Sequence, residues 1–586
     1  MKSTKIKDKV SLKKIFYIKN IVAALYSIAV AMAALNLMGS IYFREKALAL
    51  LLAWPIFRFS QYALSFKESK KLSIVHGIFA AVISFSLFAG KAVISRWEWG
   101  SIYTPVYGAV FACFLYSLIR AASGRLSALR LKGEPLKSKH IFLFSWGAIF
   151  LCWTPYFIAE FPTVMTFDSA KQAEMAMGIQ PITDHHPIMH TLLIKLCLWI
   201  GGGSPWVYTL VQMLALSAMF AFAVYWINSK GLPKLFSIGA LIWFAFNPVH
   251  AQFSVTMWKD VLFGGFMLLF TIALAELVIT KLACFKSKSW LALFICSAVG
   301  ACLFRSNGAI VVFAALLVLL CCMKKARKRL CVCTAVIAVL FMGVKIPVIK
   351  LYNAAPAHFA ESVGIPLQQI ARAVVSDGIT PEQETKVERY LSIEKIHQNY
   401  DPYCVDGLKA LNTNFHNEAL ENNKSAFFAL WAELLISHPK AYAMAWLDET
   451  YGYWYPYAIN HYAVWGQIFQ NKLGVEANAP LPWFSNAMAK LYSLEIKITN
   501  TIFSMATVFY LSIFFAILAI RRKLKSAIIL YLPLLILWFT LLIAAPIATD
   551  VRYLYSAFTI LPIAAALPFI KTKKTEKGHR GRHKNF

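Results

Sequence analysis

Ionisable residues gather in five short polar segments, each close to a strongly apolar run. In chain order these segments hold Asp168, Asp184, His185 and His186; Lys259 and Asp260; Arg305; Asp448 and Glu449; and Asp550 and Arg552. A positioned carboxylate can take the proton from an attacking hydroxyl. Lysine and arginine can neutralise a departing phosphate, arginine through a bidentate fork. The residue types therefore favour transfer of a group from a phosphate ester to a hydroxyl.

The segment 161–187, FPTVMTFDSAKQAEMAMGIQPITDHHP, is the richest of the five. We assign Asp168 and Asp184 as candidate catalytic residues. Substrate contacts are predicted for His185, His186, Lys259, Asp260, Arg305, Asp550 and Arg552. Both candidate catalytic residues have an alternative as helix N-caps, with Pro187 at an early helical position of the second helix.

A divalent metal is an alternative ligand for the same segment, held through histidine nitrogen and carboxylate oxygen. No second ligand set with metal-binding spacing supports it, and the sequence has no Gly-rich loop for a nucleotide phosphate. The metal requirement therefore stays open, and no other cofactor is predicted.

The cationic candidates also have structural alternatives. Arg305 could anchor a turn by reaching towards lipid head groups. Lys259 could do the same, or pair with Asp260. Asp550 and Arg552 could simply pair with one another.

The composition is that of a polytopic membrane protein. Of 586 residues, 59% are hydrophobic and 15% charged, whereas soluble proteins are about 45–50% apolar and about 25% charged. The net charge of +31 comes from basic clusters between apolar runs. This is how cytoplasmic loops look under the positive-inside rule, so nucleic acid is excluded as a partner.

We predict an all-α fold of about fourteen transmembrane helices with both termini in the cytoplasm. The spans lie near residues 20–39, 46–65, 72–93, 103–121, 141–160, 205–227, 235–250, 260–280, 289–304, 308–323, 329–348, 499–520, 526–545 and 552–570. This count requires that 188–200 does not cross. That segment is short and contains His190 and Lys195, so a helix on the outer membrane surface fits it better.

The segment 349–498 is the one large region predicted outside the membrane, with 15 acidic residues against 11 Lys plus Arg. It has no period-2 alternation, which favours a small, mainly helical external lobe. Its aromatic run 451–457 fits an interfacial belt or a stacking surface for a sugar. Asp448 and Glu449 are second-rank acid/base candidates and are favoured as structural residues.

Four regions follow from these boundaries. They are an accessory N-terminal membrane module (1–140), a transmembrane core (141–348) with a first catalytic loop at 161–204, the external lobe (349–498), and three C-terminal spans with a basic cytoplasmic tail (499–586).

The order of motifs resembles the GT-C glycosyltransferases. An Asp in TFDSAKQ follows a span, HHPIMHTLLIKL opens a surface helix, Trp258–Asp260 reads WKD, and Arg552 and Tyr553 read RY near the last span. The chain also resembles an uncharacterised group of bacterial multi-span proteins with FDS, DHHP, WKD, FRxNG, IPLQQ and DxRY signatures. In contrast to the usual GT-C order, four spans precede the catalytic loop, and no soluble C-terminal domain follows.

The resemblance implies an inverting transferase that uses a polyprenyl-phosphate sugar on the outer face of the cell membrane, with Asp168 as the base. The acceptor would be an envelope glycan, a lipid or a protein, and membrane lipids would surround the site. The alternatives are a transporter or flippase for a lipid-linked glycan, or a non-enzymatic scaffold of an envelope assembly. A transporter would place ionisable residues near the membrane midplane, where this sequence has few.

Overall fold

The computed structural model of the chain describes residues 24–34, 43–95, 103–280, 282–376, 378–409, 415–458, 468–478, 480–493, 502–544 and 547–570. Within these ranges the chain forms helices and loops, with isolated bridges and no β-strand. The all-α prediction is therefore confirmed for the described residues. The basic N-terminus and the basic tail 571–586 lie outside them.

The α-helices are α1 (Ala24–Ala34), α2 (Phe43–Leu64), α3 (Lys70–Ile94), α4 (Tyr103–Ala128), α5 (Ile141–Ala159), α6 (Phe167–Ala176), α7 (Ile188–Ile200), α8 (Trp206–Ser229), α9 (Lys234–Phe246), α10 (Pro248–Ser254), α11 (Lys259–Ile279), α12 (Lys288–Phe304), α13 (Ser306–Cys322), α14 (Arg327–Leu351), α15 (Gly364–Ser376), α16 (Pro381–Val387), α17 (Ile393–Asn399), α18 (Asn417–Asn422), α19 (Lys424–Ser437), α20 (Pro439–Thr450), α21 (Pro482–Ser493), α22 (Met505–Arg521), α23 (Leu532–Ala544) and α24 (Tyr555–Ala566).

Seven helical stretches of the described chain are long and apolar enough to cross a bilayer, which indicates a membrane protein. They are Lys70–Ile94, Pro105–Ala128, Ile141–Ala159, Trp206–Ser229, Lys259–Ile279, Arg327–Leu351 and Val551–Phe569. Each coincides with a predicted span. The other predicted spans fall on α1, α2, α9, α12, α13, α22 and α23, outside this set.

The chain divides into two compact units. The first comprises Met1–Arg130, Tyr455–Tyr457 and Ile520–Lys523. In this unit the buried carboxylate of Glu68 accepts from the Tyr116 hydroxyl at 2.8 Å and lies 2.8 Å from Nδ1 of His76, which is fully buried. Because a buried carboxylate is costly unless it is paired, this cluster fixes α3 against α4.

The second unit contains the remaining residues and is built around α11. The apolar window of α11 is 78% buried, and the helix packs against α8, α12 and α24. Gly264 permits the close approach of α24, since a Cβ there would lie 2.6 Å from the Tyr555 ring. By contrast, only 11% of the window of α14 is buried, so this helix presents an apolar surface outwards.

Within the second unit, the helices α15 to α20 enclose a hydrophobic core of their own. Leu367, Ile370, Phe427, Leu434 and Tyr442 are among its fully buried residues. The described part of 349–498 is helical, as its non-alternating pattern predicted.

Candidate functional site

Asp168 lies in the first turn of α6, where the unpaired N–H groups of a helix N-terminus favour a carboxylate. Thr166 occupies the N-cap position of this helix. The N-cap position of α7 is occupied by Pro187, without a side-chain cap. The alternative in which Asp168 and Asp184 serve as N-caps is therefore wrong.

The extended backbone before α6 pairs with the turn that precedes α11. The Val164 N–H donates to the Val255 carbonyl at 2.9 Å, and the Met257 N–H donates to the Val164 carbonyl at 3.0 Å. The Ser169 hydroxyl donates to the Met257 carbonyl at 2.6 Å. These bonds bring the first turn of α6 beside Trp258, although the two segments lie far apart in the chain.

Arg552 joins two of the predicted carboxylates. Its Nη1 donates to Asp168 Oδ2 at 2.7 Å, and its Nε lies 2.8 Å from Asp550 Oδ2. The guanidinium carbon is 5.0 Å from the centre of the Trp258 ring and 4.9 Å from that of Tyr553. The pairing of Asp550 with Arg552 is thus confirmed. Arg552 also donates to Asp168, and the rings of Trp258 and Tyr553 hold its guanidinium in place through cation–π contacts.

Lys259 pairs with His186 and not with its neighbour Asp260. The Lys259 Nζ lies 2.8 Å from His186 Nδ1. A charged lysine can only donate, so His186 Nδ1 accepts and its hydrogen resides on Nε2. Burial and the adjacent Lys259 charge lower the pKa of His186 well below its ordinary value, which agrees with a neutral ring. The alternative pairing of Lys259 with Asp260 is wrong.

Arg305 and Asp260 form a second, deeper ion pair. Asp260 is in the first turn of α11 and is fully buried, and Arg305 links α12 to α13 and is 8% exposed. The Arg305 guanidinium carbon lies 5.1 Å from the centre of the Tyr553 ring. Arg305 is therefore a buried partner of the site and not a residue that reaches out to lipid head groups.

Asp184 forms a separate ion pair. Its Oδ2 is 2.8 Å from the Nζ of Lys345 on α14. Both residues line a small cavity with Arg305, whose walls also include Pro187, Met189 and Leu303. Asp184 thus lies on the Arg305 side of the site and pairs with a lysine of α14.

Charge, and not burial, sets the protonation of Asp168. Burial alone would raise the pKa of Asp168, but the charges of Arg552 and Lys259 act against it. They hold the pKa of this carboxyl well below its ordinary value. With 28% of its side chain exposed, Asp168 is an ionised carboxylate that a substrate can reach.

His185 stands at the open side of the cluster, with its ring centre 4.4 Å from that of His186. Burial lowers the pKa of His185, and the charge of Glu361 opposes this effect. Glu361 belongs to the lobe and pairs with Lys409 at 2.9 Å. The lobe thus contributes charged groups beside His185.

A buried network of hydrogen bonds supports the segments that carry Asp168 and Trp258. His190 lies 3.0 Å from Gln172 Oε1 and 2.7 Å from the Tyr208 hydroxyl, which contacts Gln212 Oε1 at 2.9 Å. Gln212 Nε2 donates to the carbonyls of residues 253, 254 and 256. The turn that presents Trp258 is therefore fixed by side chains as well as by the backbone.

Asp448 and Glu449, the second-rank acid/base candidates, make contacts that stabilise the lobe. Asp448 pairs with Arg372 at 2.5 Å, and Glu449 accepts from Gln368 at 3.1 Å. In the aromatic run, Tyr453 is fully buried and donates to the Ile547 carbonyl at 2.6 Å. That contact supports the turn that carries Arg552, whereas the run was predicted as an interfacial belt or a stacking surface for a sugar.

Sequence reasoning missed three contributors. Trp258 and Tyr553 were noted within motifs but not as the rings that hold Arg552. Lys345 lay inside an apolar run, where a lone cation is itself a signal of function. In the described part of the chain, no three His, Cys, Asp or Glu side chains converge as a metal site.

A family model matches residues 177–583, which is more than half of the chain. The chain belongs to this family of unknown function, DUF6020. The DUF6020 match includes every candidate site residue except Asp168, which lies nine residues before it. Neither the curated proteins nor the solved structures contain a match.

Proposed function

We propose that the protein is a membrane glycosyltransferase, which moves a sugar from a polyprenyl-phosphate donor to an acceptor hydroxyl on the outer face of the membrane. The observation that supports this most is the fork of Arg552, shared between Asp168 and Asp550 beside Lys259. It places a reachable ionised carboxylate against two cations, which are the groups needed by a hydroxyl nucleophile and a phosphate leaving group.

In the proposed reaction, the acceptor oxygen forms a bond to the anomeric carbon of the donor sugar. The bond between that carbon and the phosphate oxygen breaks, and the polyprenyl phosphate departs with the electron pair. The acceptor proton goes to Asp168. The sugar inverts its configuration because attack and departure occur on opposite faces.

Arg552 links the two halves of this reaction. While it is bonded to Asp168 at 2.7 Å, the low pKa makes that carboxylate a weak base. A donor phosphate that draws the guanidinium towards itself would weaken this bond and make Asp168 more basic. Lys259, oriented by His186 at 2.8 Å, would stabilise the charge that develops on the leaving phosphate.

We further propose a topology of fourteen spans with both termini cytoplasmic and the lobe outside. The seven long apolar helices are its firmest part. The other seven crossings would be α1, α2, α9, α12, α13, α22 and α23, and α7 would lie at the outer surface. The site residues would then share the external face, and the lobe would meet the acceptor.

The test compares wild type with Asp168→Asn, purified at equal folding, using radiolabelled polyprenyl-phosphate sugars and a membrane acceptor extract. The loss of a general base is expected to lower kcat by about 10²–10⁴. Glu382→Gln, at an exposed carboxylate that pairs with Lys386, serves as the matched control and keeps full transfer. Full activity of Asp168→Asn would remove it as the base.

The same protein in proteoliposomes separates the transporter alternative. Movement of a lipid-linked glycan across the bilayer, without transfer from any donor, would reject the transferase.

A further inference from the structure

The cavity beside Arg305 is the feature that the proposed reaction leaves unused. It lies between the start of α7, the junction of α12 with α13, and α14. Arg305 and Lys345 contribute two cations to its lining and Asp184 one carboxylate. Ile188 and Leu303 contribute apolar surface. A mixed lining of this kind fits an amphiphile whose charged group is anionic.

On the basis of the proposed function, we propose that the mouth of this cavity binds the phosphate of the polyprenyl-phosphate donor, with Asp184 as a gate residue. The first isoprene units would lie on the exposed apolar surface of α14. Asp184 holds Lys345 while the cavity is empty of lipid, and the donor phosphate takes its place on Lys345. Asp184 would thus oppose donor binding rather than take part in proton transfer.

The surroundings of the cavity favour a lipid. Only 11% of the apolar window of α14 is buried, so the helix that carries Lys345 offers its surface to acyl or prenyl chains. Met342 and Ile346, next to Lys345 on α14, are 48% and 47% exposed. Further along α7, whose first residues line the cavity, Leu196 and Trp199 are 52% and 78% exposed. A chain in the bilayer can therefore follow apolar surface up to the two cations.

The gate can open by a side-chain movement alone. The backbone before α7 is fixed to the segment after α14, because the Asp184 N–H donates to the Ala355 carbonyl at 2.8 Å and the Ala355 N–H to the Ile182 carbonyl at 3.1 Å. By contrast, the Lys345 side chain is 31% exposed, pairs with Asp184 at 2.8 Å and lies 6.0 Å from the centre of the Phe341 ring. Exchange of one anionic partner for another at Lys345 needs no change in these backbone bonds.

Arg305 connects the cavity to the reaction site. It lines the cavity, and its guanidinium also lies 5.1 Å from the centre of the Tyr553 ring. Tyr553 in turn accepts from Arg552 at 3.0 Å. A phosphate bound by Arg305 would therefore carry its sugar towards Arg552 and Asp168.

The first experiment measures binding without turnover. The full chain in nanodiscs is titrated with radiolabelled polyprenyl phosphate that bears no sugar. Lys345→Met is expected to weaken binding about ten-fold, the effect of one charge-assisted hydrogen bond, and Lys345→Arg to retain it. Asp184→Asn is expected to tighten binding by a similar factor. The control is Lys350→Met, an exposed lysine of the same helix, which leaves binding unchanged.

Competitors identify the ligand source. Neither inorganic phosphate nor a long-chain polyprenol is expected to displace the labelled lipid, because each lacks one half of the amphiphile. Displacement by inorganic phosphate alone would mark a free-phosphate site and overturn the proposal. Equal losses in Lys345→Met and Lys350→Met, or weaker binding by Asp184→Asn, would also overturn it.

Kinetics separate a gate from a catalytic group. In the transfer assay, Asp184→Asn is expected to lower KM for the donor. A fall in kcat at saturating donor with KM unchanged would make Asp184 catalytic and refute the gate. If the binding results hold while no variant or wild type transfers sugar, the lipid-phosphate site stands and the proposed transferase fails, so the two outcomes are distinguishable.

Discussion

At the scale of single residues, the geometry of one arginine dominates the site. Arg552 contacts Asp168 through Nη1 and Asp550 through Nε at the same time, at 2.7 Å and 2.8 Å. The aromatic rings of Trp258 and Tyr553 both lie against its guanidinium. A point charge cannot reproduce such a fork, since the ammonium of lysine has no planar set of donors.

Arg552→Lys tests this geometry. One of the two carboxylates loses its partner, so kcat/KM for transfer is expected to fall about ten- to a hundred-fold, matching about 1.5–3 kcal/mol for one hydrogen bond to a charged group. Steady-state kinetics with the donor measure the effect. Arg372→Lys, the same substitution in the Asp448 pair of the lobe, is the control and leaves kcat/KM at the wild-type level. Equal activity of Arg552→Lys and wild type would contradict the role of the fork.

The sequence predicted several residues that the structure brings together and one of their pairings, that of Asp550 with Arg552, but it did not predict the other pairings. Charge patterning placed Asp168, Lys259 and Arg552 on one predicted face, and the structure brings them together. Lys259 stands next to Asp260 in the chain, yet it pairs with His186. Neighbours at the start of a helix point in different directions, so the tertiary approach of other segments decides the partner.

At the scale of elements, the site depends on how α10 and the turn after it are supported. Gln212 of α8 donates to three backbone carbonyls of this region, at 3.2, 3.0 and 2.8 Å. Nothing in the local pattern of α8 reveals this role, because a buried glutamine in an apolar helix shows only that it needs partners. Length and hydropathy were therefore enough to find α8 and not enough to find what it holds.

Two matched substitutions test this support. Gln212→Leu removes the one side chain of the described chain that donates to these three carbonyls. It is expected to lower the free energy of unfolding by about 1–3 kcal/mol, the cost of one orphaned buried group. Gln252→Leu changes a fully buried glutamine of α10 whose amide atoms have no hydrogen-bond partner in the described chain. It is expected to be neutral or stabilising. Thermal unfolding in detergent measures both, and equal destabilisation by the two would contradict the assignment.

At the scale of the whole molecule, composition and hydropathy predicted a helical membrane protein, and the seven long apolar helices agree. The association of the lobe with the catalytic turn could not be predicted. Residues 401–404 pair with the segment before Arg552, since the Ala548 N–H donates to the Tyr403 carbonyl at 2.9 Å. Such contacts join segments that carry no shared pattern. They tie the lobe to the residue that organises the site.

Glu449 is linked through Gln368 to residue 401 of this contact, and its protonation makes the contact sensitive to pH. It is fully buried and accepts from Gln368 Nε2, which also donates to the Asp401 carbonyl at 2.8 Å. Burial, together with the charges of Asp406 and Asp401, raises the pKa of Glu449 well above its ordinary value of 4.5. The folded protein therefore keeps a proton that the unfolded chain releases above about pH 4.5.

The stability that this proton contributes is complete below the unfolded pKa of Glu449 and is lost as the pH rises through the folded pKa. Across that window it declines by about 1.4 kcal/mol per pH unit. Glu449→Gln is uncharged at every pH and is expected to flatten the decline, so that its Tm overtakes that of wild type as the pH rises. Thermal unfolding from pH 5 to pH 9 measures this, with Glu433→Gln, at a partly exposed lobe carboxylate, as the control. Parallel curves for wild type and Glu449→Gln would show that Glu449 is ionised in the folded lobe, and the pH dependence would then have to arise elsewhere.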